Sequence, residues 1–103
     1  MKFKIHNRTW RVTQEGNGDN VFNDGEKSRL GLCSMLDRHI YLLDSQGKEN
    51  MRDTLVHELT HAIIYEYALP QEMGEEQICD FMATYVDEII SIADRYMKKS
   101  IKK

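Results

Sequence analysis

Three residues of this 103-residue chain have the types and spacing to do chemistry together: His57, Glu58 and His61, in the string HELTH. Helix positions four apart stand one turn apart on one face, so His57 and His61 offer two imidazoles to one ion with Glu58 beside them. Zinc takes neutral imidazole nitrogens at about 2.0–2.1 Å, and a carboxylate next to a zinc-bound water accepts its proton. The plainer reading is a chance pentapeptide whose histidines are hydrogen-bonded or exposed at a helix edge. A third ligand decides between the two.

The elements that must position these groups follow from periodicity. Residues 49–67 read as a helix with an apolar stripe of Leu55, Val56, Leu59, Ala62, Ile63 and Ile64. Asp53 is a candidate cap, with an incomplete capping box because Val56 stands three residues on. The turn Asp44-Ser45-Gln46-Gly47 precedes the helix, and Pro70 ends it by disfavouring helical geometry before itself. A second helix runs from Glu72 or Glu75 to Lys98, with Ile78, Met82, Tyr85, Val86, Ile89, Ile90, Ala93 and Met97 at helical spacing. If the two helices pack antiparallel across their short connection, Glu76 reaches the open side of the histidine pair as third ligand. Asp80, one turn on, would then accept a hydrogen bond from the other nitrogen of His57 and fix its tautomer. Glu75 is a rival ligand, and both glutamates also read as acids at the start of a solvated helix.

Upstream, MKFKIHNRTWRVTQ alternates apolar and polar residues and reads as a hairpin turning at His6-Asn7-Arg8, or as one bent strand. Residues 15–29 are rich in Gly, Asn and Asp and read as loop, with Val21 and Phe22 dipping onto the core or lining a cleft. A second strand pair, 30–36 and 39–43, flanks Asp37-Arg38, with Ile40 and Leu42 on one face and His39, Tyr41 and Leu43 on the other. The expected fold is α+β in a single domain, 1–103: a small antiparallel or mixed sheet on two helices, the active-site helix followed by a long C-terminal one.

Seventeen acidic against fourteen basic residues give a net charge of -3, which argues against a general nucleic-acid binder. At 41% hydrophobic and 30% charged residues the composition is that of an ordinary soluble protein. No apolar run approaches the length of a membrane span, and the N-terminus lacks a signal-peptide core. Cys33 and Cys79 have no zinc-finger spacing, so a reducing cytoplasm with two free thiols is the default expectation.

HELTH followed by EEQICDFMA resembles the zinc metallopeptidases with an HExxH helix and a downstream ExxxD helix (zincins), above all the ImmA/IrrE-like and small phage-encoded forms. The resemblance spans roughly residues 30–95 and departs from the usual ImmA/IrrE wording at Cys79-Asp80-Phe81-Met82-Ala83. It implies a minimal zincin-like fold in which His57, His61 and Glu76 hold Zn2+, Glu58 is general base and Asp80 orients a ligand histidine. The reaction expected is hydrolysis of a peptide bond by a metal-activated water, in a metalloendopeptidase acting on a protein or peptide substrate. A strand edge at 39–43 would hold the extended substrate, and His39, Tyr41, Tyr65 or Tyr85 would help the zinc at the oxyanion. The alternative is a non-catalytic zinc-binding interaction or regulatory protein of phage or prophage origin. Neither nucleic acid nor membrane is expected as a partner.

Overall fold

A computed structural model describes residues 1–16, 23–24, 27–28 and 30–101. Val21 and Phe22 lie outside the described residues. The elements are β1 (Lys2–Ile5), β2 (Arg8–Glu15), β3 (Asn23–Asp24), β4 (Lys27–Ser28), β5 (Gly31–Ser34), β6 (His39–Leu43), α1 (Lys48–Glu66) and α2 (Glu75–Ile101).

The opening segment is a hairpin. His6 and Asn7 join β1 to β2 with positive φ values of 49° and 68°, the left-handed pair that a two-residue hairpin turn requires. β2 then pairs in parallel with β6, and β6 pairs antiparallel with β5, so the four-stranded sheet has the order β1-β2-β6-β5. β3 and β4 form a separate two-stranded sheet. The chain is thus a small α+β domain with a mixed sheet packed against two helices.

The period-two pattern puts Phe3, Ile5, Trp10, Val12, Ile40 and Leu42 on the sheet face that meets the helices, all of them buried. Met51, Leu55, Leu59, Ala62 and Ile63 of α1 cover them, and Ile89, Ile92, Ala93 and Tyr96 of α2 complete the core. Burying each of the larger side chains contributes on the order of 1.5–3 kcal/mol. Polar ties fix the layers. Arg38 reaches the Glu66 carboxylate at 2.6 Å, with Arg8 at 4.0 Å, and so pins the end of α1 to the sheet.

α1 begins one residue before the expected start, with Gly47 at its N-cap and no side-chain capping bond. Asp53 is therefore no cap: it sits inside the helix, exposed, in the second turn. The end of α1 is closed by Tyr67 N–H bonding to the Ile63 carbonyl and by Ala68 in the left-handed region. α2 starts at Glu75, where the Gly74 amide donates to the side chain of Gln77.

The helices are antiparallel. Arg52 pairs with Asp94 at 3.1 Å near the start of α1, while Tyr67, just past its end, bonds Glu88 and packs its ring on Tyr85. The end of α1 thus meets α2 at Tyr85 and Glu88, and residues 75–84 run past it by about 15 Å at 1.5 Å per residue.

A cleft between the sheet edge and the first helix

The strand beside α1 is β5, and its first residue sets the spacing. A Cβ on Gly31 would stand 2.5 Å from Thr54 Cγ2 and 3.2 Å from both Cγ and Oε2 of Glu58. Only glycine admits helix and strand at this separation. Thr54 is held in place, its hydroxyl donating to Gln46 Oε1 at 2.9 Å.

Beyond that contact the two elements diverge around a cleft of about 680 Å3. Leu30, Cys33 and Met35 form its sheet-side wall, and Asp53, His57 and His61 the helix side, with Thr54 and Glu58 at its base. The histidines are exposed and meet edge to face, ring centroids 4.9 Å apart. Glu58 is buried, turned toward β5. Burial first, and then the neighbouring Glu58 charge, push the Cys33 thiol up to about 12. Met35 and His61 also line a second hollow of about 580 Å3, walled by Ile64, Tyr65, Ala68 and Leu69, so the cleft continues along α1 as a groove.

The expected third ligand is not in this groove. Glu76 is exposed on the stretch of α2 that runs past α1, and Asp80 lines a separate hollow of about 200 Å3 with Pro70, Met73 and Phe81. Two offsets separate them from the histidines. Along the axis, the level of His57 and His61 on α1 faces the stretch of α2 between Glu88 and Asp94, well beyond Glu76. Around the axis, Arg52 marks the side of α1 that meets α2, and His61 lies nine residues on, about two and a half turns, on the opposite side. Glu75 shares the exposed start of α2 with Glu76.

Among the described residues no group of three or more His, Cys, Asp or Glu is placed to hold a metal ion. The donor set does not fit zinc, which removes each expectation that rested on it. The resemblance to the zincins stops at the strings HELTH and EEQICDFMA. Neither zinc-dependent peptide hydrolysis with Glu58 as base nor a non-catalytic zinc-binding role is supported, and Zn2+ is not a cofactor these side chains are arranged to take.

Two further placements differ from expectation. β6 is an inner strand, paired with β2 on one side and β5 on the other, so 39–43 offers no free edge; the edge on the cleft is β5. His39 faces away from the cleft, on the side of the sheet opposite Ile40 and Leu42. There it is buried, stacked on Tyr41 with ring centroids 3.9 Å apart, with Nε2 2.8 Å from Thr13 Oγ1. The Thr13 hydroxyl donates onward to Glu15, so the neutral ring places its proton on Nε2. Among the described residues Nδ1 is buried without a partner. Protonating Nδ1 would leave a charged donor unmatched, and burial, with Arg11 nearby, pulls the His39 pKa below its ordinary 6.5. Of the tyrosines, Tyr65 lines the second hollow, whereas Tyr85 belongs to the aromatic contact between the helices.

The residues that sequence reasoning passed over are Gly31, Cys33 and Thr54. The signal for them was a glycine between two leucines in a strand, which marks a close backbone approach. Among the described residues no helix is long and apolar enough to cross a membrane. Comparison with protein-family models, with curated proteins and with solved structures finds no match.

Proposed function

We propose that the chain is a binding module that takes an extended segment of another protein along the β5 edge. The observation that carries this reading is the edge itself. Among the described residues β5 has β6 on one side and no strand on the other. In an antiparallel pair, alternate residues exchange both backbone bonds with the partner while those between turn N–H and C=O outward. The Leu43 amide bonds to the Leu30 carbonyl, which sets the phase. Leu32 and Ser34 then bond inward to Tyr41 and His39, whereas Gly31 and Cys33 present their backbone groups outward. An added strand would satisfy those groups and send alternate side chains toward the groove beside α1.

The test uses a heptapeptide library displayed on phage, selected against the wild-type protein, with each selected peptide re-measured on Cys33→Pro. Proline deletes the outward N–H of Cys33 and leaves the ladder to β6 without a lost donor. Selected peptides should bind wild type and fail on the folded variant, and should slow amide exchange at Gly31 and Cys33. Peptides that bind Cys33→Pro equally well, with both amides unchanged, would show that the edge is not the docking site.

A further inference from the structure

The connection between the helices folds back along the first turns of α2 and leaves a hollow of about 200 Å3 between them. Leu69, Pro70 and Met73 wall it from the connection, and Asp80, Phe81 and Tyr85 from the helix. Pockets for whole small molecules run to about 300–1,000 Å3, so this one has the size of a single long side chain.

Its lining combines aromatic surface with one carboxylate. The rings of Phe81 and Tyr85 stand with centroids 5.4 Å apart and planes tilted by 44°. Tyr67 backs Tyr85 at 4.9 Å and is itself bonded to Glu88, so packing holds this aromatic corner in place. Gln77, also in the lining, has its Oε1 committed to the Gly74 amide at 3.0 Å. Among the described residues Asp80 takes part in no ion pair.

The chain's own cations are held elsewhere. Residues 67–94 contain no Lys or Arg. Arg38 and Arg8 turn to Glu66, and Arg52 to Asp94. Lys2, Lys4 and Arg11 alternate with core-facing residues and so lie on the far face of the sheet. Lys27 and Arg29 are tethered to Leu30, whose carbonyl is bonded by Gln46 beside the start of α1. The length of α1, about 27 Å, separates that end from the hollow. Arg95 and the lysines after it begin about 22 Å beyond Asp80 along α2.

We infer that the hollow is a receptor for an arginine side chain presented by a partner protein. A guanidinium is flat and delocalised, so it stacks on an aromatic ring while its N–H groups donate to a carboxylate. Here the rings are Phe81 and Tyr85, the carboxylate is Asp80, and the aliphatic stem lies on Leu69, Pro70 and Met73. Beside the hollow on α2, Ile78 and Met82 are 50% and 46% exposed and give apolar neighbours of that arginine a surface to cover. Of the described lining residues only Leu69 is shared with the groove beside β5, and the site is independent of docking along that edge.

The test titrates acetyl-Leu-Arg-Leu-amide, and its citrulline and leucine counterparts, into isotope-labelled protein followed by NMR. The arginine peptide should shift the amides of residues 69–73 and 77–85. Citrulline keeps the shape without the charge and should bind about fivefold more weakly, with the gap closing as salt rises. Asp80→Asn, an exposed substitution, should remove most of arginine's advantage over citrulline while melting as wild type does. Phe81→Leu should weaken the arginine peptide more than the leucine one. Citrulline or leucine peptides binding as tightly as arginine would overturn the assignment, as would an advantage undiminished in Asp80→Asn. So would shifts confined to residues outside 69–85, or no shift from any peptide at concentrations on the order of 10 mM.

Discussion

Gly31→Ala isolates the contact that sets the groove. The added methyl would stand 2.5 Å from Thr54 Cγ2, about 1 Å inside ordinary carbon–carbon contact. Thr54 cannot rotate away without giving up its bond to Gln46, and Glu58 closes the other side at 3.2 Å. Overpacking of this kind costs about 1–3 kcal/mol, offset by about 0.4–1 kcal/mol because alanine restricts the unfolded chain. The net loss is about 1.5 kcal/mol, which in a chain of this size lowers Tm by roughly 6–12 °C. Thermal melts followed by circular dichroism measure it. The decisive variant is Gly31→Ala with Thr54→Ser, which removes Cγ2 and keeps the hydroxyl. The pair should recover most of the lost stability, whereas Thr54→Ser alone should not stabilise the wild type. A Gly31→Ala protein melting at or above wild type, or a double variant no better than Gly31→Ala, would refute the close-approach reasoning.

Three other outcomes follow from the structure. The depressed His39 pKa means that, below its ordinary 6.5, the unfolded chain takes up a proton before the folded one does. Stability should be full above that pH and fall as the pH drops toward the folded value, and His39→Gln should flatten the slope in melts between pH 7 and 5. Alkylation mapped by mass spectrometry at pH 8 should modify exposed Cys79 rapidly and Cys33 slowly, because burial and the Glu58 charge hold the Cys33 thiol protonated. Arg38→Ala should cost about 2 kcal/mol in urea titrations, since it removes the short bond to a Glu66 side chain only 3% exposed and leaves Arg8, 4.0 Å away, as the nearer remaining cation.

Much of the architecture is legible in the sequence. Strict alternation through Phe3, Ile5, Trp10 and Val12, broken by His6-Asn7, is enough to read the β1–β2 hairpin. Helical periodicity places α1 within a residue at each end, and of the two starts it offers for α2, Glu72 and Glu75, the second is the observed one. Which strand lies inside the sheet is a long-range property. The parallel pairing of β2 with β6 puts β5 at the edge, and nothing local in HIYLL or GLCS announces it. The helix offset is hidden for a sharper reason. Ile78, Met82, Tyr85, Ile89, Ile92 and Tyr96 alternate steps of four and three, so sliding α2 by seven residues carries apolar positions onto apolar positions. A pattern that survives the slide cannot select the register. The eight residues between the helices leave room for a start of α2 either beside the histidines or, as observed, past the end of α1. The expectation of a Glu76 ligand chose the first.

The stretch of α2 that runs past α1 divides the helix into two regimes of opening. Residues 75–80 are all exposed, and Ile78 and Met82 continue the buried stripe outward with 50% and 46% of their surface in solvent. Their amides depend mainly on bonds along the helix itself, whereas those from Ile89 onward lie in a segment locked to the core by Ile92, Ala93 and Tyr96. Hydrogen exchange should therefore fall along this one helix as a gradient, fast over its first two turns and approaching the rate of global unfolding after Ile89. Opening of the first turns of α2 should leave the packing of the segment from Ile89 onward in place.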